Sequence, residues 1–215
     1  MKIKFLGHAS FLIASKDGLR IVTDPYRPGC FDGGIKYEPI TEEADIVTIS
    51  HEHDDHNCTE IQGNPTFIRG AGTKETKGIA IIGTDVFHDE SGGTERGKNT
   101  IFKMVIDGMN VVHLGDLGHP LSDREVKEIG AVDVLFIPVG GHFTIDSATA
   151  EITATKLNPK VVVPMHYKTE KCGFPIAVVD DYTKNKDVKK IDGEFEITKE
   201  NLPETMTTYV LTPTK

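Results

Sequence analysis

Apolar and polar positions alternate in short runs along the first 23 residues, a period that suits strands rather than helices. Residues 3–5 and 11–14 read as two strands joined through Gly7, and residues 19–23 as a third that stops at Asp24-Pro25. Residues 25–43 hold Pro25, Pro28, Gly29, Gly33, Gly34 and Pro39, which marks a surface loop. The run Asp45-Ile-Val-Thr-Ile-Ser50 is short and apolar at its centre, as a strand buried on both faces should be. Further strand-like runs fall at 78–84, 100–106, 110–114, 133–137, 161–163 and 207–211. Two helices are predicted. One covers 122–129, with Ser122 and Glu125 forming a capping box and Gly130 stopping it. The other runs over 146–157, from an Asp146 cap to Asn158-Pro159. Past Asp180 the chain is rich in Lys, Asp and Glu, and 207–211 is its last strand candidate.

Strands in a meander, followed by strands alternating with helices, predict a layered α/β domain. The strand runs fall into two sets, 3–23 with 45–49 and 79–84 with 100–163. They are expected to build two mixed sheets packed back to back with helices outside.

Composition narrows this picture. A chain of 215 residues with 38% hydrophobic and 27% charged positions is expected to be one soluble domain, 1–215. At this length roughly 70% of the unfolded surface can be buried, so neither a disulfide nor a metal is needed merely to fold. Lys and Arg number 24 against 33 Asp and Glu, and 24 − 33 = −9 argues against a general nucleic-acid binder. The same balance leaves room for a metal site that brings its own positive charge. The N-terminus has a strand-like pattern rather than that of a signal peptide, and no run of 18 apolar residues occurs. Cys30, Cys58 and Cys172 are odd in number and far apart, which suits reduced thiols in a cytoplasmic protein.

Histidine is the residue whose placement changes the functional picture. Of nine, three lie within Ser50-His51-Glu52-His53-Asp54-Asp55-His56-Asn57, the pattern H-x-H-x-D-H. Imidazole and carboxylate suit Zn²⁺ and similar ions. The segment follows the predicted buried strand, where open α/β sheets carry their ligands. A tight turn after His53 would aim His51 with His53, and Asp55 with His56, at two adjacent metals. One loop cannot close two shells. His88, Asp116 and His166 each end a strand-like run and are the candidates to complete them.

These residues, with Gly7-His8-Ala9-Ser10, Asp24-Pro25, Gly115-Asp116 and Pro164-Met165-His166, resemble the metallo-β-lactamase superfamily across nearly the whole chain. The branch it looks most like contains ascorbate-6-phosphate lactonase, N-acyl phosphatidylethanolamine phospholipase D and uncharacterised Zn-dependent hydrolases. The resemblance implies the four-layer αββα sandwich of that fold. It also implies a dinuclear site, with His51, His53 and His88 on one metal, Asp55, His56 and His166 on the other, and Asp116 bridging. His113 rivals His88 for the first site but lies within a predicted strand. The metals would be two divalent ions, Zn²⁺ by preference, with Mn or Fe also compatible. Together they would activate a hydroxide at neutral pH, with Asp55 orienting it and moving a proton.

His8, His119 and His142 are candidates for lining the substrate pocket, and Gly140-Gly141 would let backbone approach a ligand closely. Arg96 reads as a surface charge, Asp54 as outward-facing and Cys58 as a small buried hydrophobe. The expected reaction is hydrolysis of a small ester, lactone or phosphoester. Di-iron relatives of this fold carry an acidic residue where His53 stands, which favours hydrolysis over oxygen chemistry. A nuclease of the same fold and a non-catalytic metal-binding protein are the other readings. The expected partner is a small-molecule substrate, with no nucleic acid and no membrane; a homo-oligomer stays open.

Overall fold

The computed structural model describes residues 1–215. One sheet contains β1 (Lys2–Gly7), β2 (Ser10–Ala14), β3 (Arg20–Thr23), β4 (Ile46–Ile49), β5 (Thr66–Arg69) and β13 (Glu194–Glu196). Its order is β13-β1-β2-β3-β4-β5, antiparallel from β13 to β3 and parallel from there to β5. The other contains β6 (Gly72–Thr76), β7 (Ile79–Phe87), β8 (Lys98–Ile106), β9 (Met109–His113), β10 (Val134–Pro138), β11 (Val161–Met165), β12 (Val188–Ile191) and β14 (Thr207–Leu211). Its order is β12-β14-β11-β10-β9-β8-β7-β6, parallel from β12 to β9 and antiparallel beyond. Both sheets are mixed, and the two sets of strands expected from the sequence are the two sheets.

Every interior strand of either sheet coincides with a run legible in the sequence. The four strands outside those runs, β13, β5, β12 and β6, are the four sheet edges. Edge strands face solvent along one side and carry charge there, as in Val188-Lys-Lys-Ile191 and Glu194-Phe-Glu196. They have no apolar run to reveal them.

Period-two alternation assigns the faces. From β3 and β4, Ile21 and Ile46 enter a cluster of 43 buried residues, while Val22 and Val47 enter a second cluster of 12. The larger cluster joins the sheets: Phe5 stacks on Phe11 at 4.8 Å, and Phe11 stacks on Phe136 of β10 at 4.2 Å. In the smaller one Leu6, Val22, Val47 and Ile49 are covered by Tyr26, Ile35, Tyr37 and Ile40 from the loop after β3.

Four α-helical segments occur, α1 (Cys30–Gly33), a single irregular turn, then α2 (Asp123–Ile129), α3 (Ser147–Leu157) and α4 (Val179–Thr183), with a 3-10 turn at Lys199–Asn201. Ser122 caps α2 by accepting from the Glu125 N–H, and Asp146 caps α3 by accepting from the Thr149 N–H, as expected. Helix α2 packs beside β7, α3 against β10, and α4 on α3. The longer helices thus cover the eight-stranded sheet, while the outer layer over the six-stranded sheet is the Tyr-rich loop. No helix is long and apolar enough to cross a membrane.

Candidate metal centre

The chemistry gathers where strands end on one edge of the two sheets. Strand β4 delivers Ser50 and His51, β7 delivers His88, β9 leads through Leu114-Gly115 to Asp116, and β11 ends at His166. The β1–β2 turn adds His8, and the end of β3 adds Asp24.

Three groups of donor atoms form, one of them Asp24 with His51 and His56, and the other two face one pocket. Those of His51, His53 and His88 lie within 4.8 Å of one another, as do those of His8, Asp55, His56 and His166. Asp116 stands between them. Its Oδ2 is 3.8 Å from His51 Nε2 and 3.3 Å from His88 Nε2 on one side. On the other it is 3.2 Å from His56 Nε2 and 3.3 Å from His166 Nε2. All seven ligands expected from the sequence are therefore together.

A further layer fixes their orientation. Asp24 accepts from the Ser50 backbone N–H at 2.8 Å and from the Ser50 hydroxyl. With its proton committed to Asp24, Ser50 Oγ accepts from His51 Nδ1 at 2.9 Å. His56 Nδ1 donates to the same Asp24 carboxylate at 3.1 Å. Both rings then present Nε2, and neither His51 Nε2 nor His56 Nε2 has a hydrogen-bond partner. A carboxylate that sets the tautomer of a ligating imidazole is a common support of metal sites. Asp116 donates its backbone N–H to Asn99 Oδ1 at 3.0 Å. His8, Asp24 and His166 hold positive φ angles of 55°, 38° and 51°. Such backbone costs about 1–3 kcal/mol per residue and gathers at functional sites.

Two glycines seat the ligand strands by close approach. A Cβ on Gly118 would lie 2.2 Å from the His88 carbonyl carbon, and one on Gly140 would lie 2.2 Å from the His166 carbonyl oxygen. Gly140 therefore serves the backbone of His166 rather than a substrate.

Burial and charge divide the titratable groups. Burial, helped by His56, pushes His51 down to about 3, and burial with His166 nearby pushes His8 down to about 4. Those imidazoles are neutral and ready to donate a lone pair. Burial opposes charge on Asp55, but His56 and His8 outweigh it and hold the carboxyl low. For Asp116 burial is likewise outweighed, by His166 and His56. His56 is the exception: burial disfavours its cation, yet Asp116 and Asp55 outweigh this and raise it well above an ordinary histidine. Positive charge is wanted where these carboxylates converge. Asp55 Oδ1 and Asp116 Oδ1 are buried without a partner, so the donor set fits divalent cations.

The remaining candidates separate cleanly. His113 donates from Nε2 to Ala9 O at 2.8 Å and accepts at Nδ1 from the Gly115 N–H at 3.1 Å, so both nitrogens are taken and His88 holds the position beside Asp116. His8 joins the Asp55 group through a 3.0 Å contact between its Nε2 and Asp55 Oδ2, beneath the pocket rather than on its wall. His119 accepts from the Phe87 N–H at 3.2 Å and is tied into its loop away from the pocket. His142 is exposed, on a neighbouring cleft with Asp89 and Glu95. Asp54 is exposed beside Arg27, and Cys58 is buried, both as expected.

Above the ligands lies a pocket of about 210 Å³ lined by Phe31, His53, Asp55, His88, Arg96, Asp116, Phe143, His166 and Phe174. Arg96, expected on the open surface, is on its wall. The three phenylalanines, Asn99 and Ser50 were not singled out by sequence reasoning, and Asp24 was noted only within the Asp24-Pro25 motif, without its supporting role. Only the Asp24-Pro25 and Ser50-His51 adjacencies carried a signal.

Residues 2–166 match the Beta-lactamase superfamily domain. A UPF0173 metal-dependent hydrolase of Thermococcus onnurineus is 32% identical over 197 residues, covering 79% of this chain and 85% of that protein. One from Archaeoglobus fulgidus is 30% identical, covering 93% and 96%. A crystal structure of a metallo-beta-lactamase superfamily protein from Thermotoga maritima superposes with a TM-score of 0.81 at 35% identity, covering 98% of this chain and 99% of that one.

Proposed function

The chain belongs to the beta-lactamase superfamily and is a metal-dependent hydrolase, and from that premise we propose that it cleaves a small ester, lactone or phosphoester at a dinuclear centre. His51, His53 and His88 would hold one divalent ion and Asp55, His56 and His166 the other, with Asp116 shared. The observation that carries this reading is the single Asp116 oxygen lying within 3.8 Å of imidazole nitrogens from both groups. Nitrogen and oxygen donors without thiolate favour Zn²⁺, with Mn or Fe compatible. Bound there, the metals supply acidification of water and stabilisation of the negative charge that develops on the substrate.

The chain's own groups do the rest. His8 ties Asp55 through Oδ2, leaving Oδ1 free of partners. Held ionised, Asp55 would orient the attacking water and relay its proton toward the leaving group. The pocket wall carries no hydroxyl or thiol, which supports direct attack by water rather than a covalent enzyme intermediate. The free thiols of Cys30, Cys58 and Cys172 support a cytoplasmic setting, and the charge of −9 supports a small-molecule partner over nucleic acid.

Zinc-reconstituted protein screened against lactones, phosphodiesters and carboxylic esters tests the reading. Turnover that disappears with chelation and places ¹⁸O from labelled water in product on the first cycle is expected. Label entering the protein first would overturn direct attack, and a fully loaded protein inert to all three classes would overturn the substrate assignment.

A further inference from the structure

The pocket wall contains three aromatic rings, three imidazoles, two carboxylates and one permanent cation, Arg96. Nothing in the ligand cluster needs that cation. Its guanidinium lies 5.7 Å from the Phe143 ring centroid, and its ion-pair partner is Glu95 at 3.6 Å. Glu95 is largely exposed, so the pair is weak and leaves most of the five guanidinium donors for another acceptor.

The backbone of Arg96 is nonetheless fixed. Asp89 accepts backbone N–H groups from Ser91 at 2.9 Å, Gly93 at 2.7 Å, Glu95 at 3.1 Å and Arg96 itself at 2.8 Å. The loop closes back on the ligand strand, because the His88 N–H donates to Gly97 O at 3.0 Å. The Arg96 backbone is thereby indexed to His88. Beside it, Phe31 meets Phe174 edge to face at 5.7 Å, and Phe174 meets Phe143 likewise at 5.6 Å. One wall is apolar and continuous; one point on the rim is cationic with free donors.

We propose that Arg96 anchors an oxyanion, a carboxylate or phosphate group, on a substrate whose apolar body lies against Phe31, Phe143 and Phe174. This rests on the hydrolytic reading of the same pocket and narrows its substrate class to anionic esters, lactones or phosphoesters. Hydrogen bonds to a charged group and the planar guanidinium fork favour such an anion over its neutral isostere.

Calorimetric titration of zinc-loaded protein with 4-phenylbutanoate, its neutral amide and phenylphosphonate tests the proposal without requiring turnover. The wild type should prefer the carboxylate over the amide by about 10- to 100-fold. Arg96→Gln should bring that ratio near unity with zinc content unchanged, and Arg96→Lys should restore part of it. The phosphonate arm ranks the two oxyanions. A preference that survives Arg96→Gln would place the anion on the metals and overturn the proposal, as would a wild type without preference. A clear preference in a protein that hydrolyses nothing would instead count against the reaction alone.

Discussion

The floor and the rim of this pocket are built on opposite plans. On the floor the proposed ligands follow strand ends and all but the half-buried His53 are buried, and the supports are buried as well: Asp24 behind His56, Ser50 behind His51, Asn99 beneath Asp116. The rim comes from loops, with Phe31 in the stretch after β3, Arg96 after His88, Phe143 past β10 and Phe174 past β11. Strand ends in a shared sheet edge are held by ladders of backbone hydrogen bonds, which hold the donor atoms in place. Loops on that frame can change without disturbing it. Chemistry on the floor and selectivity on the rim should therefore fail separately when mutated.

The largest effect should come from the floor's centre. Asp116→Ala removes the oxygen shared by both groups, and turnover is expected to fall on the order of 10³-fold. Metal analysis should show both ions weakened, whereas His166→Ala should weaken chiefly one. Two tightly held ions in Asp116→Ala would refute the bridging role. Asp24→Asn should come next. It lies behind the imidazoles rather than among the seven proposed ligands, so a loss of about 10- to 100-fold in metal affinity would measure the support layer alone. Asp54→Asn, one residue from a ligand but exposed, should leave affinity unchanged in the same chelator competition.

The same contrast decides what could be read from the sequence. H-x-H-x-D-H is contiguous, and its partners each follow an apolar run, so strand periodicity located the floor. Interior strands were legible for the same reason, each carrying an apolar run, while the four edges were not. The rim escaped because Arg96 and Phe31 look like surface residues until the fold brings 31, 96, 143 and 174 together. Gly140 was noticed for its backbone freedom, but what it approaches, the His166 carbonyl, is visible only in three dimensions.

Protons offer a finer test of the floor. In metal-free protein His8 and His51 have folded pKa values near 4 and 3, below the roughly 6.5 of an unfolded chain. Below about pH 6.5 the unfolded state takes up protons that the folded state refuses, so these two groups lower stability as pH falls toward 4. His56 runs the other way: its stabilisation is complete below about pH 6.5 and is lost as pH rises through its raised folded value. His53 and His113 are likewise lowered, chiefly by burial, so with four lowered histidines against one raised the thermal midpoint of metal-free protein should drop between pH 7 and pH 4. Metal displaces the proton on His56, so loading at pH 7 should release at least one proton, with any further release coming from acidified water. Calorimetry in two buffers of different ionisation enthalpy reads this number directly. A value near zero would remove His56 from the ligand set.

The smallest effect should come from the rim, and it should separate stability from selectivity. Phe31 has φ 52° and ψ 54°, followed by Asp32 at φ 54° and ψ 40°, in a turn bounded by Gly29 and Gly33. Left-handed backbone costs an ordinary side chain about 1–2 kcal/mol, and Asn tolerates it better than Phe. The Phe31 ring is 53% exposed, so its burial cannot offset that cost. What the ring does is extend the apolar wall toward Phe174. Phe31→Asn should therefore leave the thermal midpoint unchanged or slightly higher and keep both metals. It should raise KM for an apolar substrate by about 2- to 10-fold, the worth of one aromatic contact, with kcat little altered. A drop in midpoint or in metal content would show that the turn supports the floor, and the division between the two regions would then fail at Phe31.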